Sequence, residues 1–140
     1  MDRYSSKHID SGAVVDEVIR RAFLNRGIKD SLPCAIAFEI CEQLKVVPLQ
    51  VGKTADLMDI RLVKCQLGLF GYAPKKSIVK PLAVIKPDLK AAIMAGRRDN
   101  RLPCREAWRI SDLLGYHKLR VAGACDSLGI KIAPCQLGAF

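Results

Sequence analysis

The chain has 140 residues, half of them hydrophobic, and a formal net charge of +9 at pH 7. This hydrophobic content is enough for a core and excludes a disordered chain, and the length fits one ordinary domain or two very small ones. The longest uncharged run, residues 65–74, is too short to span a membrane. The N-terminus lacks the charged and then apolar segments of a signal peptide, so we expect a cytoplasmic protein.

The first helix is expected soon after Asp10-Ser11, which can cap its N-terminus. Apolar residues then recur with the i, i+3, i+4, i+7 spacing of an amphipathic helix, and Gly27 ends it. The residues of this predicted apolar face are Val14, Val15, Val18, Ile19, Ala22 and Phe23.

Prolines mark the elements that follow. A second helix is predicted from Asp30-Ser31-Leu32-Pro33, where a capping side chain precedes a proline early in the first turn. Pro48 breaks this helix and opens another, and a short β-prone run follows at residues 60–63. Residues 71–82 hold glycine and proline breaks and three lysines, which is typical of a linker.

The second half of the chain repeats this plan, beginning with a helix predicted at Pro87–Gly96. A shift of 70 positions aligns residues 32–70 with 102–140 without a gap, and 15 of the 39 pairs are identical. Unrelated sequences would share roughly two or three. Each copy is predicted to contain a helix, a second helix, a tight turn, a third helix and a strand. We therefore predict a first repeat at residues 10–70, a linker at 71–82 and a second repeat at 83–140.

The two copies differ in charge. Residues 1–70 carry ten Lys and Arg against nine Asp and Glu, whereas residues 71–140 carry thirteen against five. The net charges are therefore +1 and +8. A basic copy suits a polyanion such as nucleic acid, and the alternative is a solvated surface without a partner.

The second and third helices of each copy, with the tight turn between them, have the pattern of a helix-turn-helix. Such a unit needs a small residue where its helices cross, glycine at the turn and apolar residues on the second helix. Ser111, Gly115 and Val121 meet these needs in the second copy. The first copy has Cys41, Lys45 and Val51, so only its turn position departs.

This pattern resembles the helix-turn-helix of bacterial and archaeal transcription regulators, most closely the winged-helix DNA-binding domains of the ModE and LysR type. The resemblance covers about 30 residues of each 70-residue copy. It implies a mostly α fold with short β strands, arranged as two tandem duplicated winged helix-turn-helix units. It also implies double-stranded DNA as the partner.

The resemblance implies that the second helix of each pair is a recognition helix in the major groove. In the second copy this helix spans about Lys118–Leu128, where Gly123 and Ala124 are also expected to face solvent. Arg120 could contact guanine, and Lys118 a phosphate. The implied DNA-contacting residues are Lys118, Arg120 and Ser127 in the second copy, Gln50, Lys53 and Thr54 in the first, and the backbone-contacting Arg97, Arg98, Arg101, Arg105 and Arg109.

The six cysteines have no export signal beside them, so thiols or metal ligands are expected rather than disulfides. Four of them match between the copies, namely Cys34 with Cys104 and Cys65 with Cys135. Four thiols could hold zinc or an iron–sulfur cluster, although no C-x-x-C spacing is present. The simpler interpretation is that they are small hydrophobic residues filling gaps, without a cofactor.

No catalytic constellation accompanies the two histidines, His8 and His117, so the protein is not expected to be an enzyme. The leading hypothesis is a cytoplasmic DNA-binding transcription regulator. In this hypothesis the second copy contacts DNA, and the first copy helps to position it or makes a homodimer contact. The main alternative is a protein-interaction module that uses the helix-turn-helix shape without DNA, because the first copy is nearly neutral and residues 121–129 are poor in polar side chains. A cysteine-based metal or redox sensor is the third hypothesis.

Overall fold

A computed structural model describes residues 14–140, in which six helices and four short strands form. The first half contains α1 (Glu17–Asn25), β1 (Ser31–Pro33), α2 (Cys34–Leu44), α3 (Pro48–Leu57) and β2 (Arg61–Val63). The second half contains α4 (Pro87–Gly96), β3 (Arg101–Leu102), α5 (Cys104–Leu114), α6 (Lys118–Ser127) and β4 (Lys131–Ile132). The prediction of a mostly helical fold with short strands is confirmed. The predicted Asp10-Ser11 cap and His8 lie outside the described residues.

The described chain divides into two compact units. The first unit comprises the described residues up to Cys65 together with Leu137–Ala139. The second unit comprises Gln66–Gln136 and Phe140. Residues 71–82, the predicted linker, are therefore part of the second unit.

The first helix begins later than its apolar pattern suggests. Asp16 caps α1, and its Oδ1 accepts hydrogen bonds from the amides of Val18 (3.0 Å) and Ile19 (3.2 Å). Ile19, Ala22 and Phe23 are buried as expected, but Val14 and Val18 are exposed. The prediction was wrong for these two valines because the buried stripe has the spacing of Ile19, Ala22 and Phe23, and Val14 precedes the helix.

A strand stands where the second helix was predicted to start. Ser31–Pro33 forms β1, which pairs in parallel with β2 and sets Leu32 opposite Leu62. The residue before a proline disfavours the helical conformation, so Leu32 is extended and its fully buried side chain enters the core. The helix α2 then begins at Cys34, directly after Pro33.

The two parallel strands of each unit are joined by a helix pair. Parallel strands need a crossover connection, which α2 and α3 supply in the first unit and α5 and α6 in the second. Each unit therefore has the order helix, strand, helix, helix, strand. The strand predicted at the end of each copy is present, as β2 and β4, and each pairs with a strand that was not predicted.

The second unit builds its core on the same plan. The helix predicted at Pro87–Gly96 is confirmed as α4, with Pro87 at its start and Leu89 and Ile93 fully buried. Ile110 of α5 and Val121 of α6 are also fully buried. This core holds the helix pair that forms the candidate site.

Candidate nucleic-acid interface

The turn between α5 and α6 is fixed by a small residue and a glycine. Ser111 is buried, and its hydroxyl donates a hydrogen bond of 2.6 Å to the carbonyl oxygen of Tyr116. Gly115 ends α5 with a φ of 75°, a left-handed conformation that glycine adopts without steric strain. The local features of the predicted helix-turn-helix are thus present in the second unit.

The first unit makes the same turn without glycine. Lys45 ends α2 with a φ of 56° and a ψ of 46°, and Cys41 is buried at the position of Ser111. Lys45 therefore replaces the turn glycine of the second unit and adopts the same left-handed backbone conformation.

Two aromatic residues organise the surface at the start of α6. The ammonium group of Lys118 lies 4.7 Å from the centre of the Trp108 ring, and the guanidinium carbon of Arg120 lies 5.6 Å from that of Tyr116. The Tyr116 hydroxyl donates a 2.7 Å hydrogen bond to Asp88 Oδ1, which raises the pKa of Tyr116. Trp108 occupies the position of Phe38 in the repeat, a match that predicts a core residue, but it is only half-buried and Lys118 lies over its ring.

The second half of α6 is covered by the chain that precedes α4. A Cβ atom built on Gly123 would lie 2.5 Å from the carbonyl oxygen of Lys80. The Ser127 hydroxyl accepts a hydrogen bond from the amide of Leu82 (2.7 Å) and donates one to its carbonyl oxygen (3.0 Å). Gly123 and Ala124 are buried, so the prediction that they face solvent was wrong. Their small size admits a main-chain segment of the same unit.

Ser127 keeps an exposed position, but its hydroxyl is engaged by this main-chain pair. The open part of α6 is therefore its first turn, which contains half-buried Lys118, exposed Leu119 and exposed Arg120. In a helix-turn-helix the N-terminal residues of the second helix are those that contact base edges.

All five predicted backbone-contacting arginines are exposed in the second unit; they are Arg97, Arg98, Arg101, Arg105 and Arg109. Arg98 and Arg101 close a tight turn, with hydrogen bonds of 2.7 Å and 3.2 Å between their main chains. The side-chain amide of Asn100 donates a 2.9 Å hydrogen bond to the carbonyl oxygen of Gly129, which fixes this turn beside β4.

Three of these arginines share one cleft. Arg98, Arg105 and Arg109 line it together with Pro103 and Glu106, and its volume is about 480 Å³. Arg109 forms an ion pair of 2.9 Å with Glu106. Within residues 14–140, Arg97, Arg98, Arg101 and Arg105 have no ion-pair partner, so this surface carries uncompensated positive charge.

The predicted contacts of the first unit are arranged differently. Gln50 is exposed, but its Nε2 donates a 2.8 Å hydrogen bond to Asp16 Oδ2. Lys53 is exposed and accessible. Thr54 is only 3% exposed, and its hydroxyl donates to the carbonyl oxygen of Gln50 at 2.9 Å. The prediction that Thr54 lies on a DNA-contacting face was wrong, because this side chain bonds back onto its own helix.

The positions that match the basic residues of the second unit hold other side chains in the first. The five arginines correspond to Gly27, Ile28, Ser31, Ala35 and Glu39, and Lys118 and Arg120 correspond to Pro48 and Gln50. At these matched positions, only the second unit carries basic side chains.

The cysteines are mostly part of the core. Cys34, Cys41, Cys65, Cys104 and Cys125 are buried, and Cys135 is half-buried. Burial raises the pKa of Cys41 to about 11 and that of Cys125 to about 12, so both remain thiols at neutral pH. In the described part of the chain no three His, Cys, Asp or Glu residues are grouped so that they could hold a metal ion.

The described helices are all too short or too polar to cross a bilayer. No protein-family model, curated protein or solved structure matches the chain. Sequence reasoning missed the supporting roles of Trp108 and Tyr116, although an aromatic residue directly after the turn glycine was visible in the sequence.

Proposed function

We propose that the protein binds double-stranded DNA through its second unit and acts as a transcription regulator. The observation that supports this most strongly is the set of exposed arginines at residues 97–105, which lack ion-pair partners within residues 14–140. Uncompensated arginine is suited to phosphate oxygens because its planar fork of donors matches their geometry. The matched positions of the first unit hold uncharged side chains, so this charge is not a requirement of the shared architecture.

The proposed interface combines this arginine surface with the first turn of α6. Lys118 lies over Trp108 of α5, and Trp108 stands three residues after Arg105 on the same helix. The role proposed for Arg120 is a bidentate contact with guanine, and the role proposed for the arginines is contact with the backbone phosphates. In this proposal the two units are tandem variants of a winged helix-turn-helix, and only the second contacts DNA.

The proposal is tested by the salt dependence of binding to a labelled duplex of mixed sequence. If six basic residues each neutralise one phosphate, the logarithm of the binding constant should fall with a slope of about −5 against the logarithm of salt concentration. The affinity should then fall roughly a thousandfold between about 50 and 200 mM salt. Absence of binding at low salt contradicts the proposal.

A matched pair of double variants identifies the surface. Arg98→Gln/Arg105→Gln should lower the salt slope by about two, because two phosphate contacts are lost. Arg21→Gln/Arg61→Gln removes the same charge from exposed positions of the first unit and should leave the slope unchanged. Equal effects of the two variants would show that net charge, rather than this surface, controls binding.

A protein-interaction module is the second candidate function, and exposed apolar side chains of the first unit favour it. Val47 and Leu49, beside the turn before α3, are 63% and 52% exposed, and Val18 of α1 is 62% exposed. Charge reversal by Lys118→Glu/Arg120→Glu separates the candidates, since it should abolish DNA binding and spare a protein contact made by the first unit. If Val47→Ser/Leu49→Ser reduces the molecular mass measured in solution, this surface forms a homodimer contact.

A further inference from the structure

The chain between β2 and α4 contains a tight turn with two adjacent lysines. Tyr72 and Lys75 form an antiparallel bridge, in which the amide of Lys75 donates a 2.9 Å hydrogen bond to the carbonyl oxygen of Tyr72. Lys75 and Lys76 are exposed, and neither has an ion-pair partner in the described part of the chain. We refer to residues 72–76 as the lysine turn.

The base of the lysine turn is anchored to the second unit. The Ser77 hydroxyl and the amide of Ile78 both donate hydrogen bonds to the carbonyl oxygen of Gly68, at 3.0 Å and 2.9 Å. The Ser77 oxygen also accepts a 3.1 Å hydrogen bond from the amide of Val79. Two bonds to one carbonyl oxygen hold the turn in place, so it is not a freely moving linker.

The anchor lies beside the start of α6. A Cβ atom built on Gly68 would overlap Leu119 Cδ2 and would lie 3.0 Å from Ile78 Cγ1. Gly68, Ile78 and Leu119 therefore pack together, and Leu119 stands between the two basic residues of the open first turn of α6. From this point the chain continues to Lys80 and Leu82, which contact Gly123 and Ser127 farther along the helix.

We propose that Lys75 and Lys76 form a second phosphate-binding site that flanks the first turn of α6. This inference rests on the proposed DNA-binding function and extends it to a segment whose composition indicates only a linker. Lysine is a flexible point charge that pairs with a phosphate without demanding one orientation, which suits a contact to the DNA backbone. The anchored turn fixes where along the duplex these charges act, while Lys118 and Arg120 enter the groove.

The test compares two double variants that remove the same charge. Lys75→Gln/Lys76→Gln should lower the salt slope of duplex binding by about two and the affinity at about 0.1 M salt by roughly ten- to a hundredfold. Because phosphate contacts are independent of sequence, the loss should be equal for duplexes of different sequence. The control Lys29→Gln/Lys90→Gln changes an exposed lysine of the first unit and an exposed lysine of α4, and it should leave the slope unchanged.

Restoring the charge should restore the binding. Lys75→Arg/Lys76→Arg should bind within about twofold of the original protein, because arginine also contacts phosphate. Equal slopes for the lysine-turn variant and the control variant would overturn the inference while leaving the proposed function intact. Failure of the unmodified protein to bind DNA at low salt would instead overturn the proposed function itself. All variants should show the same circular dichroism, since exposed substitutions usually change stability by less than about 0.5 kcal/mol.

Discussion

Two stretches of the molecule, residues 31–52 and 101–122, have the same pattern of buried, half-buried and exposed positions, residue by residue. The agreement ends at the next position, where Lys53 is exposed and Gly123 is buried. The duplicated chain has therefore kept its core and its turn while its outer surface has diverged. The shared architecture can therefore be inferred from the repeat, whereas the functional residues are expected where the side chains of the two copies differ.

The largest expected effect comes from reversing charge on the open turn of α6. Lys118→Glu/Arg120→Glu should weaken duplex binding at least a hundredfold, about 2.7 kcal/mol, because two attractive contacts become repulsive. Gln50→Glu/Lys53→Glu makes a similar change in net charge on the matching helix of the first unit. It should alter binding by less than about threefold, measured by fluorescence anisotropy at one salt concentration.

If the two variants weaken binding equally, both copies contact DNA and the proposed division between them is wrong.

The next effect concerns the segment that covers α6. Ala at an open helical position is more stable than Gly by about 1 kcal/mol. Gly123→Ala should nevertheless destabilise the protein by about 1–2 kcal/mol, because the added methyl group would overlap the carbonyl oxygen of Lys80. Urea unfolding followed by circular dichroism measures the change.

The control is Lys53→Ala at the matching position of α3, where the side chain is exposed. This variant should change the free energy of unfolding by less than about 0.5 kcal/mol. Stabilisation by Gly123→Ala would show that residues 80–82 do not lie against α6, and the outer faces of the two helices would then be alike.

The smallest expected effect is a pH dependence of stability. It arises from a buried thiol of the second unit, at a position where the first unit has a residue that does not ionise. Burial raises the pKa of Cys125 from its ordinary value of 9.0 to about 12, and the matching residue of the first unit is Ala55. Between these values the unfolded chain releases a proton that the folded chain retains, so stability is fully present below pH 9.0 and falls as pH rises through the folded pKa.

This loss is at most about 1.4 kcal/mol per pH unit for one group. Cys125→Ala, which installs the residue of the first repeat, should lessen the decline in unfolding free energy above about pH 9. Identical declines in the two proteins would show that the Cys125 thiol ionises as readily in the folded state as in the unfolded chain.

The sequence predicted the parts of the fold that rest on local signals. Pro48 and Pro87 open helices as expected, and Ser111 and Gly115 marked the tight turn that joins two helices. The strands β1 and β3 could not be predicted, because two or three residues show no periodicity and their pairing partners lie about 30 residues away.

The candidate site was predicted only in part, because some of its contacts also join residues that are far apart in the sequence. The exposed arginines follow from charge and spacing, but the cover over Gly123 depends on Lys80, which is 43 positions earlier in the chain. The composition of residues 71–82 indicates the absence of regular structure and gives no information about packing. Thr54 was wrongly predicted for a different reason, because its buried hydroxyl donates a hydrogen bond to the carbonyl oxygen of Gln50 within its own helix.

The most direct test of the central claim is to titrate isotopically labelled protein with duplex DNA at low salt and follow its backbone amide signals by NMR. We expect shifts at Arg97–Arg109, at His117–Arg120 and in the lysine turn, with the signals of α1 and α3 unchanged. Shifts confined to the first unit, or no shifts at a DNA excess, would contradict the central claim.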